Sequence, residues 1–449
     1  MQPTGAHATA FLMARRLFTH QDADQLSNIP SIYPTFGRPD KNEMTELTKP
    51  CRILMLLENC GYPEDTRVAN EATALVEAGH TVSVVCRRDA YTTKRHEVIN
   101  GVKLYRYPAP PEWRGVLGYA VEYGYSLTMA FFIANYLFLR HGFDALHVHT
   151  PPDMYVTIGA WFKLFGVRYV MDHHDLSPEL YQAQSQSSED ALLVRMLKWF
   201  ERRSCRMADQ MIQTNESQRA SDISRCDVDP ARTNVVRNGP NFQKMQGAVP
   251  IPEYREKGKM ILGYMGCIGF QDGVDSFLQA MRRLSVDLKR DDFFGLIIGE
   301  GPALQSLRDL SVELKLQDKM AFVGYQKGDA LYSHIASCDI MVTPDPVNSY
   351  NASCTMIKTM EYMAMSKPIV GYDMPEHRYS AGDASLYAKP GDVLHFAQCL
   401  QQLMDDPSLR QSMGEMGRHR IESKLAWKHQ KESLIATYRK IQSTQSQLV

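Results

Sequence analysis

From residue 52 to residue 388, short apolar runs alternate with stretches whose apolar positions recur every three to four residues. That is the pattern of strands alternating with helices. Arg52–Leu57 is almost wholly apolar, as a strand buried on both faces requires. The loop Glu58–Pro63 follows, then a helix opened by Glu64 and Asp65 that runs through Val76 and is closed by Gly79. Further strands are predicted at Thr81–Val85, Lys103–Tyr107, Ala145–His149, Arg168–Asp172, Gln210–Gln213 and Thr233–Val236. Helical segments separate them, so a parallel, doubly wound sheet is expected. At Asn238–Gly239–Pro240–Asn241 the pattern breaks and restarts. It gives strands at Ile261–Met265, Phe294–Ile298 and Lys319–Phe322, a glycine-bearing loop over 266–273, a helix over Val274–Leu284 and a last strand at Ser385–Ala388. The division expected is an N-terminal extension (1–48), a first α/β domain (49–240), a second (241–425) and a tail (426–449) with a helix from about Gln430 to Gln442.

The stretch 339–371 carries the most chemistry. Asp339–Thr343 reads as a strand, and 344–353, rich in Pro, Asn, Ser and Asp, as a loop. From Thr355 the residues Met356, Ile357, Met360, Met363 and Ala364 recur at helical spacing, until Lys367–Pro368 stops the helix before the strand Ile369–Val370. Lys358 and Glu361, three apart, share a face of that helix near its N-terminal end, where free N–H groups and the dipole favour an anion. A cation there suits a phosphate. A carboxylate one turn deeper suits a hydroxyl pair such as a ribose diol. The alternative reading is an exposed ion pair worth about 0.2–0.5 kcal/mol.

Two polar clusters fall at predicted strand ends, where open α/β sheets bind ligands: His147–Val–His149 running on to Asp153, and Asp172–His173–His174–Asp175 running on to Glu179. Imidazole and carboxylate together also suit zinc or iron, but the spacing His-Val-His-Thr-Pro-Pro-Asp lacks a further histidine soon after, so no metal is expected.

Composition narrows the classes. With 449 residues, 44% hydrophobic and 22% charged, the chain suits a globular protein of two domains. A net charge of −1 gives no basic field for nucleic acid, and none is expected as a partner. Nine cysteines without a CxxC pair read as reduced thiols of a cytoplasmic protein. Ala8–Ala14 is apolar but short, and Arg15–Arg16 follow it instead of preceding it, so no secretory signal is expected. Val116–Leu139 is long enough to span a bilayer, yet it holds Glu122 and Asn135 and ends at Arg140–His141. It reads as a buried helix, with peripheral contact at the inner face of a membrane as its second use.

The run Lys358–Thr–Met–Glu361 through Lys367–Pro–Ile–Val370, preceded by Gly299–Glu300–Gly301–Pro302 and Val323–Gly324–Tyr325, resembles the donor domain of the retaining GT-B glycosyltransferases of family 4. The resemblance covers about residues 52–442. It implies a GT-B fold, two Rossmann-like domains facing a cleft, with the C-terminal helix crossing back to the first. It implies that Glu361 binds the ribose, that the loop after Val323 meets the nucleobase, and that His149 lies near the reacting sugar carbon. Gly266, Glu300, Gly301, Val323, Gly324, Tyr325, Ser353, Cys354, Thr355, Lys358 and Glu361 are then the donor-side residues, with His149, Lys358 and Glu361 carrying the chemistry. Gly61, Asp153, His174, Asp175, Glu179 and Asn238 fall to the acceptor or sugar side, a tight turn being the other reading of Gly61.

Two departures stand out. Where that family carries Arg and Lys against the diphosphate, this chain has Cys267 and Asp272; where it carries a sugar-binding Glu, this chain has Ser353. Lys358 and the amides of 353–355 are expected to replace the cations, and Asp345, Asn348 or Asn351 the carboxylate. The expected function is retaining transfer of a sugar from a nucleotide diphosphate donor, a co-substrate with no separate cofactor, to a glycan or lipid-linked acceptor. The alternatives are a non-catalytic nucleotide-sugar-binding subunit of the same fold and, further off, a metal-dependent hydrolase.

Overall fold

The computed structural model describes residues 50–446 except 89–93, 111–115, 186, 187, 189, 241, 243, 244, 246 and 256–258. The expected extension 1–48 and Asn241 lie outside the described residues.

The first lobe contains β1 (Arg52–Leu56), α1 (Thr66–Glu77), β2 (Thr81–Arg87), β3 (His96–Ile99), β4 (Val102–Tyr107), α2 (Val116–His141), β5 (Ala145–Thr150) and α3 (Val156–Lys163). It continues with β6 (Arg168–His173), α4 (Ser177–Ser185), α5 (Leu192–Met207), β7 (Gln210–Gln213), α6 (Glu216–Cys226) and β8 (Thr233–Val235). Its eight strands lie in the order β3-β4-β2-β1-β5-β6-β7-β8. All pair in parallel except β3, which is antiparallel to β4 and was not read from the sequence. Asn100 and Gly101, with φ of 49° and 81°, form the tight turn between them; Asn-Gly is a hairpin signal that the apolar pattern alone passes over.

The second lobe contains α7 (Pro252–Arg255), β9 (Met260–Met265), α8 (Val274–Val286), β10 (Phe293–Ile298), α9 (Leu304–Glu313), β11 (Met320–Gly324), α10 (Gly328–Ser337) and β12 (Ile340–Thr343). Then come α11 (Ser349–Ser353), α12 (Ile357–Ala364), β13 (Ile369–Tyr372), α13 (Pro375–Ala381), β14 (Ser385–Ala388), α14 (Val393–Asp405), α15 (Pro407–Arg420) and α16 (Trp427–Ser446). Its six parallel strands lie in the order β11-β10-β9-β12-β13-β14. The expected loop over 344–353 ends in the helical turn α11, because the Asn348 side chain caps it by accepting from Asn351 N.

Helices cover both faces of each sheet, so the central strands are buried on both sides. In the first lobe α1 and α16 close one face with Leu75, Leu434 and Tyr438, and α2, α3 and α5 close the other with Leu137, Phe162 and Cys205. Helix α2 is not the buried helix its composition suggests: Phe132, Tyr136 and Leu139 stand 59–87% exposed on its outer side. Among the described residues no helix is long and apolar enough to cross a membrane. All nine cysteines are free thiols.

The connection between the lobes is packed tightly. A Cβ on Gly239 would lie 2.4 Å from Leu425 O and 2.6 Å from Trp427 N, so the linker passes directly against the segment that leads α16 back to the first lobe. Tyr438 of α16 reaches His147 in β5 at 2.8 Å.

Candidate active site

On the second lobe the ends of three strands are tied into one rim. Gly266 N donates to Ile298 O (3.1 Å), Gly299 N to Gly324 O (2.9 Å) and Ile268 N to Glu300 O (2.9 Å). The approach is so close that a Cβ on Gly299 would stand 1.9 Å from Gly266 O, and one on Gly301 2.5 Å from Ile268 O, both at positive φ. Gly266, Glu300, Gly301, Val323, Gly324 and Tyr325 are therefore neighbours at the carboxyl edge of the sheet, where ligands of such folds sit. Glu300 and Tyr325 are exposed.

Beside this rim α12 begins, with no side chain capping its first N–H groups. Lys358 on its first turn is buried. Its Nζ donates to Asp345 Oδ1 (2.6 Å), lies 3.5 Å from Asp272 Oδ1 and sits 4.9 Å from the centre of the Tyr264 ring. Burial works against its charge, but Asp345 and Asp272 outweigh that and hold its pKa above the usual lysine value. Where the diphosphate is expected there are thus two carboxylates to one ammonium, and Cys267 is exposed. Asp345 holds Lys358, Asn348 caps α11, and Asn351 Nδ2 is spent on Gln271 O and Pro346 O (3.2 and 2.8 Å). The three side chains expected to meet the sugar are all engaged within the protein.

Glu361, one turn deeper, is different. Its carboxylate has no hydrogen bond or ion pair among the described residues. Burial alone pushes its carboxyl up to about 7. It lines a cavity of about 70 Å³ between the lobes, with Arg67, Asn70, Asn238, Tyr332 and Ile357. A larger cavity, about 360 Å³, lies at the opposite end of α12 around Phe242, Ala364 and Lys367, and holds none of these groups.

Residues 353–355 face the first lobe. Asn215, which caps α6 through its Oδ1, donates from Nδ2 to Ser353 O (2.7 Å) and Thr355 Oγ1 (3.0 Å). Arg237 Nη1 donates to the same Thr355 Oγ1 and to Glu376 Oε2 (3.3 Å each), with its guanidinium 4.1 Å from the centre of the Tyr379 ring. Asp175 accepts from Tyr350 OH at 3.0 Å, a further bond across the seam. Cys354 is half-buried, and burial raises its thiol pKa.

On the first lobe His149, at the end of β5, is buried. Its Nδ1 lies 3.1 Å from Asp172 Oδ2, and His174 Nε2 shares the same oxygen at 2.8 Å. His147 stacks on His149 with ring centres 4.4 Å apart. Arg67 of α1 grips Asp172 with two bonds (3.0 and 2.7 Å) and also reaches Val236 O, Asn238 Oδ1 and, at 3.2 Å, Glu71. Burial opposes charge on Asp172, but Arg67 and the histidines override it and hold the carboxyl well below its usual range. Burial pushes Glu71 well above its own and lowers His149. A neutral imidazole beside an ionised carboxylate keeps its proton on Nδ1, so His149 Nε2 is a lone-pair acceptor, buried and without a partner among the described residues.

Gly61, also buried, accepts the N–H groups of Glu64 and Asp65 at 3.1 and 3.3 Å, the turn that starts α1. Asp153 and Glu179 are not brought to His149. Successive residues of β6 point to opposite faces, and His173, next to Asp172, anchors a second buried network. There His173 Nδ1 meets Asp222 (3.0 Å), Asp153 accepts from Ser177 Oγ (2.5 Å) and Glu179 pairs with Arg225. Burial alone would lower His173; Asp222, with Glu201 and Asp153, outweighs it and pushes it up to about 10.

Glu71, His147, His149 and Asp172 bring ligand-type atoms within 4.8 Å of one another, as do His173, Cys205 and Asp222. In the first group Arg67 already supplies a fixed positive charge to both carboxylates, so a metal ion there would sit against a guanidinium. The sequence reading missed Arg67, Glu71, Asn215 and Arg237. The available signal was charge at positions 67 and 71 of α1, four apart and in line with the apolar residues Val68, Ala72 and Leu75.

Residues 65–239 match the glycosyl transferase 4-like domain, and residues 251–420 match the glycosyl transferases group 1 family. The chain is similar to a 2-deoxystreptamine glucosyltransferase of Streptomyces kanamyceticus, 22% identical over 312 residues, which are 66% of this chain and 78% of the relative. In fold it resembles the sucrose-phosphate synthase from Thermosynechococcus elongatus (TM-score 0.71, 17% identity, 88% of this chain and 100% of that one). It also resembles HepE of Anabaena, solved with UDP and glucose (TM-score 0.63, 14% identity, 88% and 100%).

Proposed function

The chain belongs to the glycosyl transferases of group 1, with a first lobe of the glycosyl transferase 4-like kind and the GT-B fold, and from that membership we propose how it works as a nucleotide-sugar glycosyltransferase. The reaction is transfer with retention, from a nucleoside diphosphate sugar to a glycan or lipid-linked acceptor. The observation that carries this reading is the unpartnered carboxyl of Glu361 in the interlobe cavity, a ready acceptor for the two ribose hydroxyls. The likeness to HepE, solved with UDP and glucose, supports a uridine donor as the first to try.

In this reading the anomeric C–O bond to the diphosphate breaks, charge builds on the leaving oxygen, and the acceptor hydroxyl bonds to the anomeric carbon and gives its proton to that leaving oxygen. Lys358 Nζ and the N–H groups at the uncapped start of α12 meet the leaving charge. For that, Lys358 must exchange Asp272, 3.5 Å away, for a phosphate oxygen, while Asp345 continues to orient it. The lone pair on His149 Nε2 accepts from a sugar hydroxyl next to the reacting carbon, and Arg67 and Asp172 keep that tautomer in place.

The same two carboxylates beside Lys358 favour the second reading, a binder that no longer transfers. A screen of UDP-, GDP- and ADP-sugars by thermal shift and slow donor hydrolysis separates the two. A donor that stabilises the protein and is hydrolysed, with hydrolysis lost in His149→Ala and binding lost in Glu361→Ala, supports transfer. A donor that stabilises but is never hydrolysed or transferred, even with extracts supplying acceptors, overturns it in favour of the binder.

A further inference from the structure

Helices α2, α3 and α5 form one layer on the first sheet. Phe131 of α2 lies edge-on to Trp161 of α3 (5.8 Å), and Lys163 of α3 donates to Met207 O of α5 (2.9 Å). The outer side of this layer carries Phe132, Tyr136, Leu139, Trp161, Leu164 and Phe165 on α2, α3 and the turn after it, and Leu192, Met196 and Trp199 on α5. All are 39–87% exposed. These nine are half of the large hydrophobic side chains exposed among the described residues, so they are not the usual single scattered ones.

On α5 the arrangement is explicit. At about 100° per residue, Val194, Glu201 and Cys205 form the inward stripe, and all three are buried. Leu192, Met196, Trp199 and Arg203 fall opposite, with Arg195, Arg202 and Arg206 on one flank and Leu193 and Phe200 on the other. The one acid of the helix, Glu201, is turned inside and paired with Arg225. Arg206 is held by Asp227 (3.3 Å), but Arg195, Arg202 and Arg203 have no carboxylate partner among the described residues, and Arg203 lies 5.9 Å over the Trp199 ring. An apolar stripe edged by arginines, on a helix whose own acid is turned inside, matches the boundary between acyl chains and acidic headgroups.

We propose that the outer surface of α2, α3 and α5 docks the first lobe onto the surface of an anionic lipid bilayer, with α5 lying in the headgroup plane. No helix among the described residues spans a membrane, so the contact is peripheral. This surface is separate from the transfer chemistry, and its test needs no donor or acceptor.

The purified full chain is sedimented with vesicles of phosphatidylcholine alone and with vesicles that also contain phosphatidylglycerol. Binding is expected only to the acidic vesicles, weakening as salt is raised, with a blue shift of tryptophan emission that shrinks in Trp199→Phe. Met196→Glu/Trp199→Glu abolishes binding. Arg202→Gln/Arg203→Gln weakens it about tenfold or more, since each basic residue near an acidic surface is worth about 1 kcal/mol, whereas Arg283→Gln on α8 leaves it unchanged. The substituted side chains are exposed, and circular dichroism verifies that each variant folds. The proposal falls if the wild type stays in the supernatant at low salt, or if the α5 variants bind as it does. It falls equally if the wild type is a dimer in solution that Met196→Glu/Trp199→Glu splits, because the surface then covers a second copy.

Discussion

At the scale of single residues, two side chains on α12 carry the expectations. Glu361 has a pKa raised by burial to about 7 and meets a diol only as a carboxylate. Nucleotide binding therefore releases a proton below pH 7, and affinity is expected to rise as pH goes from 5.5 to 7.5, by at most about tenfold per unit, then level off. The free protein moves the other way. A carboxyl whose folded pKa exceeds its unfolded value contributes stability at low pH that is lost as pH rises through 7. Calorimetric titration across that range checks the first, and a flat profile in Glu361→Gln assigns it. Lys358 is caught between Asp345 and Asp272, and loss of an electrostatic stabiliser commonly costs about 10²–10³-fold in turnover, so Lys358→Ala should fall by that much. Asp272→Asn removes one competitor for the ammonium and should tighten donor binding; unchanged affinity would place the diphosphate elsewhere.

At the scale of elements, the loop after β10 leaves no room for side chains at Gly299 and Gly301. Gly299→Ala would push a Cβ to 1.9 Å from Gly266 O at a φ of 142°, so the two loops must part. Strain of this kind costs on the order of 1–3 kcal/mol, and a lower melting temperature with weakened nucleotide binding is the expected result. The elements themselves were largely legible. Arg52–Leu56, Gln210–Gln213 and Ser385–Ala388 stand where the apolar runs put them. The β3–β4 hairpin was not read, because an edge strand with half-exposed residues has no apolar run to announce it. The helix at 349–353 was read as loop because its start depends on one capping side chain, Asn348.

At the scale of the whole molecule, Arg67 joins four separate parts of the first lobe: α1, β6, the end of β8 and the linker at Asn238. Arg67→Met leaves Asp172 buried without its cation and should cost about 3–5 kcal/mol in denaturant unfolding. Asp172→Asn in the same chain should recover part of that loss, a coupling that a double-mutant cycle measures. Additive effects would show that the pair does not hold these parts together.

What the sequence by itself determined is what depends on local spacing: alternating strands and helices, a break near 240, Lys358 and Glu361 on one helical face, and polar clusters at the ends of β5 and β6. These follow from the periods of the helix and the strand, which any short window contains. Tertiary structure alone decided that Arg67 meets Asp172, 105 residues away, and that Asn215 meets Thr355, 140 residues away. It also decided that Asp272 and Asp345 occupy Lys358, and that Asp153 and Glu179 serve a network centred on His173. Such pairings depend on which strand lies beside which and on how two lobes close, and no window of sequence carries that order. Charged groups made the difference visible, because burying one without its partner costs several kcal/mol, so the fold brought distant residues to Arg67 and Lys358.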